Sequence, residues 1–174
     1  MATSQTVEQK TLVNYRVEDG IAKGNKMADE FSSTARRVAL RLRKDFGMVM
    51  DDIFIDISVS AVIADTTGLH RATLAAVRTI RNDPDLRGIH IMGGLTNIGQ
   101  QLPTKATDGS DLKLSLECAF LTLAVPLGFD TVLATPWRNY SALPTDNYLL
   151  LAYKNFLEQT GTNALRAVRK FYKA

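Results

Sequence analysis

An α/β fold built on a parallel sheet is what this sequence predicts, and three observations predict it. Short apolar runs alternate with longer stretches of helical periodicity along the chain. No convincing hairpin turn joins two of the apolar runs. Three of the runs open into polar or glycine-rich residues, as parallel strands do where they enter their βα loops.

Taken in order, Met1–Lys10 is polar and is expected as a flexible N-terminus, followed by a short strand over Leu12–Val17 that ends at Glu18-Asp19-Gly20. Met27, Phe31, Ala35, Val38, Leu42 and Phe46 recur at steps of three and four, which predicts one long amphipathic helix stopped by Gly47. Arg36, Arg37, Arg41, Arg43 and Lys44 read as its solvated face. Ile53–Val59 is the second strand. A helix follows over about Leu69–Arg81, ended by Asn82-Asp83-Pro84 because proline cannot continue it. Ile89–Met92 is the third strand, and a polar loop over Gln101–Gly109 leads to a helix over Leu112–Leu127, stopped by Gly128. Thr131–Ala134 is the fourth strand, and helices over about Asp146–Gln159 and Asn163–Tyr172 complete the chain.

At 174 residues the chain is long enough for one sizeable core, so residues 1–174 are expected as a single domain. Hydrophobic residues at 45% and charged residues at 22% are ordinary for a globular protein. A formal charge of +3 without a basic run suits an anionic small molecule better than a nucleic acid. One cysteine, Cys118, excludes an internal disulfide and a multi-cysteine zinc site, and its helical context makes it a small core residue. His70 and His90 are the two histidines, so a metal would have to rest on carboxylates, and none is expected. His70 reads as a helix-surface residue. No apolar stretch reaches the roughly 18–20 residues of a membrane span, and the N-terminus is no secretory signal, which makes the cytoplasm the expected location.

The chemistry concentrates at the strand ends. Gly93-Gly94-Leu95-Thr96-Asn97-Ile98-Gly99-Gln100 follows the third strand. Two glycines let a flat ligand approach the backbone, and Thr96, Asn97 and Gln100 supply neutral donors and acceptors. The same glycines could serve packing alone, and spacing by itself favours that. Asp56 interrupts an apolar strand, and a buried carboxylate needs a partner. A charged ligand edge, a core arginine or a helix N-terminus would each supply one. Other chemistries lack their motifs: there is no P-loop, no Gly-x-Gly-x-x-Gly after the third strand and no Gly-x-Ser-x-Gly elbow.

Asp51-Asp52-Ile53-Phe54-Ile55-Asp56, then Gly94-Leu95-Thr96-Asn97-Ile98-Gly99-Gln100-Gln101-Leu102-Pro103, then Ala119-Phe120-Leu121 with Gly128-Phe129-Asp130 carry a resemblance. Together they resemble the pterin-binding methyltransferases: the methyltetrahydrofolate:corrinoid/iron–sulfur protein methyltransferases and the folate domain of cobalamin-dependent methionine synthase. Glu18-Asp19-Gly20 is similar to the family's acidic-glycine turn. The likeness runs from about Leu12 to Pro136, and its specific part is the Gly-Leu-Thr-Asn block. Ile57 replaces the family's proline after the aspartate and Gly99 replaces a serine.

The resemblance implies a dihydropteroate synthase-like (β/α)8 barrel of the TIM type, of which this chain matches the C-terminal half, about four βα units. It implies that Asp56 binds the guanidine-like edge of a reduced pterin and that Asn97 reaches N5, with Gly94, Thr96 and Gln100 beside the ring. Asn97 is then the catalytic residue, bonding to N5 as the methyl leaves. Methyltetrahydrofolate, or a methanopterin-type relative, is the implied methyl donor, and the acceptor is cobalamin on a separate corrinoid protein. Lys105, Lys113 and Arg138 lie where they could meet the anionic folate tail. A half-barrel is expected to pair with a copy of itself or with a chain supplying the first half, burying the edge strands. Rival readings are a dihydropteroate synthase-like enzyme, whose Ser-Arg-Lys and Arg-Val-His signatures have no counterpart here, and a non-catalytic pterin-binding or structural subunit. A monomer would point to an open doubly wound sheet.

Overall fold

The computed structural model describes residues 20–173, with side chains from Lys26 onward. The expected tail at Met1–Lys10 and the expected strand at Leu12–Val17 lie outside the described residues.

Helix α1 spans Gly20–Phe46. Its buried side is Ala28, Ala35 and Ala39, flanked by the half-buried Phe31 and Leu42. Small residues let two helix backbones approach, and α1 lies along helix α2 (Leu69–Asn82). The apolar stripe is therefore rotated from the expected one, leaving Val38 and Phe46 in water. Gly47 takes the left-handed conformation at φ 69° and returns its N–H to Arg43 O at 3.1 Å, closing the helix where expected. Arg36 is not simply solvated, because it pairs with Asp83 at 3.1 Å and Asp85 at 2.5 Å, tying α1 to the end of α2.

The sheet has three strands in chain order: β1 (Phe54–Asp56), β2 (His90–Gly94) and β3 (Thr131–Leu133). Both pairings are parallel, with Phe54 opposite His90, Asp56 opposite Met92, and Gly94 opposite Leu133. Alternation along the strands divides the side chains between two faces. Ile53, Ile57 and Ile91 are buried on the face that meets the helices, joined by the buried Ala76, Val77, Ile80, Leu116 and Phe120 of α2 and α3. The other face carries Phe54, Asp56, Met92 and Leu133 and is left partly or fully in water. β1 is shorter than the expected Ile53–Val59. Ile57 N–H still reaches Met92 O at 2.8 Å, but Ser58 O is taken by the Thr73 hydroxyl of α2 at 2.8 Å, and the strand stops.

Asp65 explains how α2 begins. Its Oδ1 accepts from the N–H groups of Thr67, Gly68 and Leu69, and its Oδ2 from His70 N–H at 2.8 Å, so one carboxylate holds the turn leading into the helix and the first donors of the helix itself. Helix α3 (Leu112–Ala124) starts at Asp111, which accepts from Leu114 N–H at 3.1 Å, and ends through a tight turn at Gly128. Cys118 is buried within it.

Helices α4 (Tyr148–Leu157) and α5 (Gly161–Arg169) do not return to the sheet. α4 packs on α3 and α5, and α5 on the turn Val62–Ala64. Tyr153, Phe156, Phe171 and Phe120 form an aromatic core there. His70 sits in it, 1% exposed, correcting the expected surface position. Its Nδ1 meets Tyr153 OH at 2.5 Å and its Nε2 meets Ser60 O at 2.8 Å. Because α4 departs, Val132 on the helix-facing side of β3 is 44% exposed.

Candidate functional site at the carboxyl edge of the sheet

Asp56 closes β1 on the bare face. Its carboxylate is exposed, so the expected burial of a lone charge does not arise. The reason is the alternation of Ile53, Ile55 and Ile57 toward the helices, which sends Phe54 and Asp56 the other way. Two residues beyond Met92, Gly94 lies on the same face, and the chain then enters the turn Leu95–Asn97.

That turn is anchored from beneath by the fully buried Leu95 and Ile98, while Thr96, Asn97 and Gln100 stay exposed. Ile98 O also accepts from Val62 N–H at 3.1 Å, which fixes the turn to the loop after β1. Gln100 Nε2 donates to Asn97 Oδ1 at 2.8 Å, setting the plane of the Asn97 amide. Asn97 Nδ2 stands 3.1 Å from where a Cβ on Gly94 would be, so the amide folds back over that glycine.

The two adjacent glycines have different reasons. A Cβ on Gly93 would lie 2.7 Å from Val59 Cγ2 and 3.0 Å from Ile57 O, so Gly93 serves close packing against the covered side. Gly94 faces the open edge and meets only the Asn97 amide. Gly99 is again a packing glycine, covered by the stem of Lys113, whose Cγ would be 2.8 Å from an added Cβ.

The expected tail contacts separate. Lys105 is exposed on a short antiparallel bridge to Asp111. Arg138 is committed to the protein itself: its guanidinium donates to Glu117 Oε1 at 3.2 Å and lies 3.9 Å from Asp111. Glu117, in the middle of α3, is 2% exposed. Tyr140 OH donates to Glu117 Oε2 at 2.8 Å and accepts from Thr135 N–H at 3.2 Å. Burial, and then the bond to the carboxylate, push the Tyr140 hydroxyl above its ordinary range. Sequence reasoning passed over Glu117 and Tyr140. The signal was there for the first, a lone carboxylate between Leu116 and Cys118 in an apolar helix.

A second polar group occupies the amino edge. Asp130 Oδ1 accepts from Ile91 N–H at 3.0 Å and its Oδ2 from Arg81 at 2.7 Å. Burial would raise this carboxyl, but the bonds from Arg81, Thr131 and Ile91 outweigh it and hold the group below its usual range. His90 stacks on Phe54 at 4.7 Å and lies 3.4 Å from Asp130. This network clamps the amino ends of β2 and β3 together.

Chemically, the carboxyl edge offers one solvated carboxylate, a held carboxamide, a hydroxyl and a second amide beside an open glycine. Such a set can both donate and accept hydrogen bonds along one edge of the sheet. Among the described residues no group of three or more His, Cys, Asp or Glu converges as a metal site does. Also among the described residues, no helix is long and apolar enough to cross a membrane. No family model and no curated protein matches the chain.

Proposed function

We propose that this chain is one wall of a dihydropteroate synthase-like barrel that binds a methyl-tetrahydropterin and passes its N5-methyl to cobalamin on a corrinoid protein. The observation that carries the reading is the sheet itself. Three parallel strands in unbroken chain order, with helices over one face and the other face bare among the described residues, are compatible with a barrel wall. Asp56 and the Asn97 turn then stand at the carboxyl edge, where barrel enzymes hold their substrates.

In this reading Asp56 accepts two parallel N–H bonds from the pterin's guanidine-like edge. Asn97 meets N5. A tertiary amine releases a methyl only as N5 gains a proton or a strong hydrogen bond, and a fixed amide stabilises that developing N–H without being an acid. Gln100 holds the amide in place at 2.8 Å, and Gly94 gives it room. In this reading a second wall covers the face that the described residues leave bare.

The test is methyl transfer from methyltetrahydrofolate to cob(I)alamin, followed by the visible spectrum of the corrinoid. Asn97→Ala is expected to slow transfer at least about tenfold while donor affinity changes little. A variant that transfers methyl at the original rate would refute the role of Asn97.

A further inference from the structure

Trp137, the single tryptophan of the chain, is 83% exposed at the carboxyl end of β3. Its support is rigid. Arg138 N–H donates to Thr135 O at 3.1 Å, closing the turn that carries the indole. On the far side, Arg138 and Tyr140 are both held by the buried Glu117, and Tyr140 OH receives Thr135 N–H. An aromatic side chain kept in water on a pinned turn is preorganised for contact, because little backbone freedom is lost when something binds.

Its place in the fold is the carboxyl edge of the sheet, in the turn that follows β3. Leu133, 64% exposed on the bare face, lies opposite Gly94, and β3 packs against the turn Leu95–Asn97. Along the carboxyl edge the order is therefore Asp56 on β1, Asn97 after β2 and Trp137 after β3. Three adjacent strands span about 10 Å. A methyl-tetrahydrofolate presents, along its own length, a guanidine-like edge, then N5, then an aminobenzoyl ring. We propose that Trp137 is a binding residue that stacks on the aminobenzoyl ring of a folate-type donor, selecting a pterin with an aromatic tail over a bare one. This rests on the pterin reading above and adds the side of the ligand that Asp56 and Asn97 leave untouched.

Equilibrium dialysis of the full chain tests it with two probes, methyltetrahydrofolate and a 5-methyl-tetrahydropterin lacking the aminobenzoylglutamate. Trp137→Ala is expected to weaken the folate about tenfold, Trp137→Phe to retain most of the affinity, and the bare pterin to bind all three proteins alike. Unchanged folate affinity in Trp137→Ala, or equal losses for both probes, would overturn the inference. If Asp56→Ala weakens both probes while Trp137→Ala weakens neither, the inference falls and the pterin reading stands. If the unaltered chain binds neither probe, both fall.

Discussion

Gly93 and Gly94 are neighbours in one strand, yet alanine should act oppositely at the two positions. Neither is among the glycines with positive φ, so each gains about 0.4–1 kcal/mol from the reduced freedom of the unfolded chain. At Gly93 the new methyl would stand 2.7 Å from a Val59 methyl and 3.0 Å from the Ile57 carbonyl oxygen. Val59 and Ile57 are buried, so the clash must be relieved by moving backbone, and overpacking of this kind costs about 1–3 kcal/mol. Gly93→Ala is therefore expected to lose about 1–2 kcal/mol net. At Gly94 the nearest atom is the Nδ2 of an exposed side chain at 3.1 Å, which can swing aside. Gly94→Ala should keep or slightly raise stability while displacing the Asn97 amide and slowing any chemistry that depends on it. Urea unfolding measures the first quantity, and at ordinary m-values the loss at Gly93 lowers the midpoint by on the order of 1 M. A Gly93→Ala protein as stable as the original, or a Gly94→Ala protein less stable than Gly93→Ala, would refute the assignment of the covered and bare faces.

Three further outcomes follow from the same geometry. Arg138→Ala strips the buried Glu117 of its cation, leaving only the Tyr140 hydroxyl on the other oxygen, and should cost about 2–4 kcal/mol in urea unfolding; a neutral effect would return Arg138 to the role of a surface tail contact. Burial pushes the His70 imidazole below its ordinary value, against smaller opposing pulls from the Asp65 carboxylate and the Ser60 carbonyl. The unfolded chain therefore binds this proton first: stability should hold above about pH 7.5 and fall as pH drops through about 6.5, by at most about 1.4 kcal/mol per pH unit. His70→Phe should be less stable but should lose that part of the slope, and an unchanged slope would count against a neutral buried imidazole. With β3 unpaired on its outer edge among the described residues and Val132 and Leu133 exposed, sedimentation at micromolar concentration should find an associated species, and Val132→Lys should weaken it; a cooperatively unfolding monomer would contradict the half-barrel.

What the sequence made legible was what local physics decides. The 3.6-residue pattern and the stops at Gly47, Pro84 and Gly128 located the ends of α1, α2 and α3, but α1 begins at Gly20, expected in a turn, well ahead of the first patterned residue Met27. β2 was expected to end at Met92, yet it runs on through Gly93 and Gly94, and the turn with its amides begins only at Leu95. What escaped depends on distant partners. His70 looked like a surface residue because its partner Tyr153 is 83 residues away. Arg138 looked available because Glu117 lies 21 residues upstream, in helix α3. The end of β1 was misplaced because Ile57-Ser58-Val59 is as apolar and extended as a strand, and only the Thr73 hydroxyl on Ser58 O shows where the ladder stops. Asp56 seemed buried because alternation reveals two faces without saying which one the helices cover.

Binding of methyltetrahydrofolate to the unaltered chain and to Asp56→Ala, compared at equilibrium, tests the carboxyl edge as a pterin site most directly. Asp56 is exposed and makes no contribution to the core, so its loss should leave unfolding unchanged. Losing a charge-assisted bidentate bond should raise Kd by about 30- to 150-fold, or 2–3 kcal/mol. A folded Asp56→Ala protein that binds the donor as tightly as the original would contradict the site.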